Sequence, residues 1–254
     1  MAALEYKNVT FRYQEDEYEM FRDLSFTVEQ GEFVSVIGAS GCGKSTLFRL
    51  INQLEEPDHG EILVKGKSIV GQKGYAGFMP QKDLLMPWRT VGSNLCLPME
   101  INKIPKKEQQ RKSRDLLKRM GLEGYYDKYP RELSGGMRQR VSFARTLLTG
   151  SELLLLDEPF SALDYFTRVS LQEWLLEQWK REKRTILFVT HDVEEALYLS
   201  GRVLILRGRP VTAVESVKVP LPYERVREQL EKPEILHLKE KLIHQLRAET
   251  GGEE

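Results

Sequence analysis

The residues Gly38-Ala39-Ser40-Gly41-Cys42-Gly43-Lys44-Ser45-Thr46 carry the clearest chemistry in this chain. They fit the pattern G-x-x-x-x-G-K-[ST], with an apolar run, Phe33 to Ile37, before them and a helical pattern, Leu47 to Ile51, after them. Glycines at these positions let successive backbone N–H groups turn inward and form a concave anion nest that a Cβ would crowd. The helix that follows adds its positive end. Lys44 brings a full charge to the β- and γ-phosphates. The Ser45 hydroxyl can ligate Mg²⁺, a hard cation that prefers oxygen. The expected ligand is a nucleoside triphosphate.

Two further segments belong to the same chemistry. Leu153-Leu154-Leu155-Leu156-Asp157-Glu158 is an apolar strand ending in two carboxylates. A buried strand delivers side chains to its carboxyl end, where ligands of α/β proteins bind. There Asp157 is expected to hold Mg²⁺, through water, and Glu158 to act as general base on the attacking water. Leu133-Ser134-Gly135-Gly136-Met137-Arg138-Gln139-Arg140 is the second. Ser134 can cap a helix whose first N–H groups Gly135 and Gly136 leave open, which makes an anion site without a lysine. One triphosphate does not need two such sites in one chain. The pair makes sense if the second faces the nucleotide of a neighbouring copy.

The elements that must position these residues follow from the pattern of apolar residues. Residues 4–11 and 24–28 read as strands of a β-rich opening, and residues 33–37 as the buried strand that feeds the phosphate loop. A helix is expected over 44–54, then short strands over Glu61–Lys65 and Tyr75–Met79. From Gln81 to about Gly150 helical patterns replace strands, notably Lys106–Met120 and Met137–Leu148. Strands return at Leu153–Leu156, Thr185–Val189, Val203–Leu206 and Val211–Val217, with helices at Arg168–Arg181 and Val193–Leu199. This is an α/β core with a helical insertion at about 90–150. The expected division is one nucleotide-binding domain over 1–222 and a charged helical tail over 223–254. Tyr223 to Glu249 reads as the helix, and Gly251 to Glu254 as disordered.

Composition narrows the function. The chain has 254 residues, with 38 Lys+Arg against 38 Asp+Glu, a balance that argues against a broad nucleic-acid footprint. No apolar run reaches the roughly 18 residues needed to cross a bilayer. The opening lacks a basic region ahead of an apolar core, so no signal peptide is expected. The two cysteines, Cys42 and Cys96, lack metal-ligand spacing and read as free thiols of a reducing cytoplasm.

Taken in order, these segments resemble the ATP-binding subunit of ATP-binding-cassette transporters over nearly the whole chain. Gly38 to Thr46 is similar to the Walker A loop, Gln81 to the Q-loop glutamine, and Leu133 to Met137 to the LSGGQ signature. Leu153 to Glu158 is similar to Walker B with its glutamate, Ser161-Ala162-Leu163-Asp164 to the D-loop, and His191 to the switch histidine. Tyr13 stands where the family places an aromatic that stacks on adenine. The resemblance implies a P-loop NTPase with a RecA-like α/β core, an N-terminal antiparallel β subdomain and a helical signature subdomain. It implies that Gln81 contacts Mg²⁺ or the attacking water, and that His191 bonds the γ-phosphate and orients Glu158. Ser134, Gly135 and Gly136 would close over ATP on the opposite subunit, and Asp164 would work across that interface. Two departures stand out: Met137 replaces the usual Gln, and Gly201 replaces an Asp common in relatives.

The implied partners are a second ATPase subunit, as a homodimer, a separate multi-span permease and a periplasmic or lipid-anchored solute-binding protein. The chain would then lie at the cytoplasmic face of the membrane. Gln81 to Val91, with Leu84-Leu85-Met86-Pro87-Trp88, is similar to a segment of importer ATPases for nitrate, sulfonate, taurine and pyrimidine precursors. Leu85, Met86 and Trp88 either line a groove for a permease helix or pack locally. The rival readings are a soluble cassette ATPase acting on DNA or ribosomes, an exporter ATPase, and a GTPase or small-molecule kinase sharing only the phosphate loop. Guanine specificity needs N-K-x-D, and Asn102-Lys103-Ile104-Pro105 has Pro where Asp is required.

Overall fold

The computed structural model describes residues 1–222 and 224–250. The expectation of disorder at Gly251–Glu254 lies outside the described residues, as does Tyr223. The chain forms two compact units, Met1–Lys73 with Glu182–Glu254, and Gly74–Arg181.

In the first unit, β1 (Ala2–Phe11), β2 (Phe21–Glu29), β4 (His59–Val64) and β5 (Lys67–Ser68) make an antiparallel sheet in the order β2-β1-β4-β5. Its inner face is held by Tyr6. The ring stacks on Phe26 at 4.5 Å, and the buried hydroxyl donates to the Leu47 carbonyl of α1 (Lys44–Ile51) at 2.7 Å. β3 (Phe33–Gly38) lies between two parallel neighbours, β8 (Thr185–Val189) and β9 (Arg202–Leu206), and β10 (Val214–Lys218) runs antiparallel to β9. β8 is buried at every residue, which is why Ile186–Val189 are continuously apolar rather than alternating.

The expected strand over Val211–Val217 starts later, because Val211 instead bridges to Phe21 of the antiparallel sheet. α1 stops at Ile51, three residues before the expected end, with Asn52 turning back to the Phe48 carbonyl.

α6 (Val193–Leu199) and α7 (Pro233–Thr250) complete this unit. The charged tail hides an apolar stripe. Ile235 and Leu242 are fully buried, with Leu238 and Leu246 alongside, against Val193, Ala196, Leu197, Ile37 and Ile205. Its charges face outward, where Lys239 pairs with Glu194 at 2.7 Å. Arg225 is the buried exception. It donates to the carbonyls of Leu197, Tyr198 and Ser200 and so satisfies the end of α6, while burial lowers its pKa to about 10. A Cβ at Gly201 would meet that guanidinium at 3.9 Å. Because Leu242 is fully buried, Leu242→Ala is expected to cost about 2–5 kcal/mol of stability, read from the urea midpoint.

The second unit pairs β6 (Ala76–Met79) parallel to β7 (Leu153–Asp157) and packs α2 (Val91–Ile101), α3 (Lys106–Arg119), α4 (Gly135–Leu147) and α5 (Tyr165–Glu182). α2 went unrecognised in the sequence because Pro98 interrupts it and it lacks a polar face. The signal for it was its cap, since Thr90 accepts from the Ser93 N–H at 3.2 Å. Buried Asn94 then fastens the preceding loop, accepting from the Met86 N–H and donating to the carbonyls of Met86, Arg89 and Thr90. The basic helix α3 buries Gln109, Ser113, Leu116 and Leu117 and turns its charges to solvent, with Glu108–Lys112 and Arg111–Asp115 paired along it.

Candidate functional site

In the first unit the apolar strand β3 ends at the phosphate loop, and the loop's last glycine starts α1. Gly43 has φ +100°, and a Cβ there would lie 2.8 Å from the Phe21 ring and 2.9 Å from the Met20 sulfur. Both the backbone and the space demand glycine. Lys44 Nζ folds back and donates to the carbonyls of Gly38 and Ala39 at 2.8 Å each, with the buried Cys42 sulfur 3.9 Å away. The ammonium therefore already sits over the loop. Ser40, Gly41 and Ser45 are exposed, while Thr46 is buried and its hydroxyl lies 3.1 Å from that of Tyr13. The Tyr13 ring, half-buried, has the edge of Phe11 at 4.8 Å and the Arg49 guanidinium at 6.0 Å. So the expected adenine-facing aromatic is tied to the helix that carries the phosphate loop.

Arg209 was not singled out from the sequence. It donates to the Gly41 carbonyl at 2.9 Å, and the available signal was the Arg207-Gly208-Arg209-Pro210 turn after β9.

His191 follows β8 on an exposed turn whose neighbours are both fixed. Thr190 donates to buried Glu195 at 2.7 Å and accepts from the Asp192 N–H, and Asp192 caps α6 through the N–H groups of Glu194 and Glu195.

In the second unit β7 ends at Asp157, only 5% exposed, followed by half-buried Glu158. Glu158 has φ +47°, a left-handed conformation that costs a non-glycine residue about 1–3 kcal/mol. The Gln81 amide donates to the Glu158 carboxylate at 3.0 Å, so these two expected site residues meet.

Ser134 caps α4, its hydroxyl accepting from the Met137 N–H at 3.3 Å, and Ser134 and Gly135 both face solvent. Their two glycines differ in kind. A Cβ on Gly136 would stand 3.1 Å from the Ala162 carbonyl and 3.4 Å from Leu163, so Gly136 lets the helix lie against that turn. A Cβ on Gly135 would meet only an Arg138 nitrogen at 3.9 Å. Packing does not require glycine there, and a ligand approaching the helix end would. Asp164 is exposed and caps α5. Hydrogen bonds from the Thr167 side chain first, and from its N–H, hold the carboxyl below the usual range.

A family model described as ABC transporter matches residues 21–161, more than half of the chain. The chain belongs to the ABC transporter family. It is 46% identical over 231 residues to the formylaminopyrimidine import ATP-binding protein ThiZ of Halalkalibacterium halodurans, covering 91% of this chain and 90% of that protein. It is 42% identical over 215 residues to the aliphatic sulfonates import ATP-binding protein SsuB of Bacillus cereus, covering 85% and 84%. Its fold is similar to the dimeric post-hydrolysis structure of the ATP-binding cassette MJ0796 bound to ADP and Pi. The TM-score there is 0.76 at 27% identity, over 86% of this chain and all of that one. The structure of cbiO1 from Clostridium perfringens, part of the transporter complex cbiONQ, gives a TM-score of 0.74 at 26% identity, over 94% and 99%.

The protein is thus the ATP-binding, ATP-hydrolysing subunit of an ABC transporter, with the expected α/β cassette fold. Among the described residues no helix is long and apolar enough to cross a membrane. The two signature glycines give this ABC ATPase a discriminating prediction. Gly135→Ala should fold and melt like the wild type yet associate poorly with ATP, whereas Gly136→Ala should also lower the melting temperature. Analytical ultracentrifugation with ATP and calorimetric melting separate the two effects.

Proposed function

We propose that this ATPase drives uptake of a small organic or oxyanion solute, of the sulfonate, taurine, nitrate or pyrimidine-precursor type, through a separate permease. The names of the relatives at 46% and 42% identity support this class. The cycle rests on two cassettes of this chain pairing head to tail around two ATP molecules. The observation that carries it is the exposed, sterically open helix start at Ser134-Gly135, an anion site beyond what the chain's own phosphate loop requires.

In this reading Gly38 to Thr46 and Lys44 hold the triphosphate, and Tyr13 stacks on adenine for about 0.5–1.5 kcal/mol. Glu158 takes the proton from the attacking water, oriented by Gln81 and by His191, which also bonds the γ-phosphate. Ser134, Gly135, Gly136 and Asp164 act on the nucleotide of the partner cassette. Ser45, Asp157 and Gln81 would hold Mg²⁺ through side-chain oxygens, the donor type that this ion prefers. When bound, the ion supplies neutralisation of phosphate charge.

The permease contact is the Gln81–Val91 segment. Leu85 is buried and serves local packing, whereas Leu84 is 61% and Trp88 73% exposed. Those two side chains, with half-buried Met86, offer apolar surface to a cytoplasmic helix of the permease. In this reading the protein works at the cytoplasmic face of the membrane, with a periplasmic or lipid-anchored solute-binding protein completing the complex.

The test is capture of tagged Glu158→Gln from detergent-solubilised membranes with ATP, identified by mass spectrometry. Recovery of a multi-span permease is the expected result. Recovery of ribosomal or DNA-associated factors alone would move the ATPase to a soluble role.

A further inference from the structure

The signature helix carries a buried glutamine that neither the phosphate chemistry nor the helix cap uses. Gln139 is 4% exposed and lies on α4, five residues after the Ser134 cap. Its amide nitrogen donates to the Glu158 carbonyl at 3.1 Å and to the Ser161 hydroxyl at 3.2 Å. Its amide oxygen accepts from the Ala162 N–H at 2.9 Å. One side chain thus fastens both ends of the turn that joins Glu158 to the D-loop.

That turn needs fastening. Glu158 is in the left-handed region, and such a conformation persists only where the surroundings over-determine it. Here the Glu158 carbonyl accepts from Gln139, from the Ser161 hydroxyl at 3.0 Å and from the Ser161 N–H at 3.3 Å. The close seating of Gly136 on the Ala162 carbonyl presses the same turn against the same helix. A hydrophobic residue would fill the space, but it would leave the Ala162 N–H without its partner.

We propose that Gln139 is a positioning residue, holding the Glu158 peptide and the Ser161–Ala162 turn in register with the helix that begins at Ser134. It rests on the reading of Glu158 as the base. Its consequence is that the orientation of Glu158 depends on where the signature helix lies, so that engagement of Ser134-Gly135 is felt at the base through one side chain. Gln139 itself is buried, and these hydrogen bonds run to the Glu158–Ala162 turn.

The experiment uses the purified full chain, with steady-state ATPase kinetics and thermal melting on the same preparations. Gln139→Met keeps the volume and removes all three hydrogen bonds. It is expected to lower kcat by about 100-fold, the scale of an ångström misplacement, with KM changed by no more than about threefold and the melting temperature lowered by a few degrees, the protein still folded at the assay temperature. Gln139→Glu keeps the acceptor for the Ala162 N–H and regains a donor only when protonated. Its activity relative to wild type is therefore expected to climb as pH falls.

A Gln139→Met enzyme with near wild-type kcat overturns the assignment. So does one whose loss tracks its unfolding, and so does a Gln139→Glu ratio that stays flat with pH. Glu158→Gln assayed in parallel separates the two readings. If it is inactive while Gln139→Met is active, only the role of Gln139 falls. If Glu158→Gln itself turns over normally, the base assignment fails and takes the positioning role with it.

Discussion

Glu158→Gln is expected to bind ATP normally, to lose at least about 100-fold in kcat, and to accumulate as an ATP-bound dimer. The substitution preserves shape and keeps an amide oxygen that can still accept from Gln81, which now donates to Glu158 at 3.0 Å. What it removes is basicity, because an amide cannot take a proton from water at neutral pH. The phosphate loop is untouched, so binding energy for the triphosphate is retained and the cassettes still close. Without hydrolysis they have no route to reopen. Phosphate release and size-exclusion chromatography with ATP read the two halves of the claim. Near wild-type turnover would sink Glu158 as the base, and loss of turnover without dimer would sink ATP as the link between cassettes.

What was legible in the sequence follows from how local the cause is. β3, β7 and β8 are buried along nearly their whole lengths, so mainly apolar runs announced them. The phosphate loop, Ser134 as a cap and the acidic strand end were equally plain, because each is a short stretch whose residue types are set by its own backbone. The hidden features depend on distant partners. α2 offered a proline and no clear division into apolar and polar faces, and its buried Asn94 bonds a loop outside the helix. Arg225 reads as one more surface cation until the end of α6 is placed beside it. Gln139 belongs to the same class. In the string Met137-Arg138-Gln139-Arg140 nothing separates it from its neighbours, and only the fold shows that Arg138 turns to Asp83 at 3.0 Å while Gln139 turns to Glu158. The roles of the site residues came through motif order, which records chemistry without recording distance.

Lys44→Ala is expected to weaken ATP binding by at least about 100-fold, or roughly 2.7 kcal/mol, measured by calorimetric titration. The ammonium donates to the Gly38 and Ala39 carbonyls at 2.8 Å each. Its loss therefore does two things at once. It deletes charge-assisted bonds to phosphate, worth about 1.5–3 kcal/mol each, and it leaves two carbonyl dipoles facing the anion with nothing between. Stability should hardly change, because Lys44 opens α1 and alanine is the strongest helix former. That separates this variant from Glu158→Gln by outcome rather than by degree. One loses binding, and with it both dimer and turnover; the other keeps binding, gains dimer and loses only turnover. Tight ATP binding by a folded Lys44→Ala protein would mean that the nest of backbone N–H groups holds the triphosphate unaided. The lysine would then act on the transferring phosphate alone, and its loss would appear in kcat instead of in affinity.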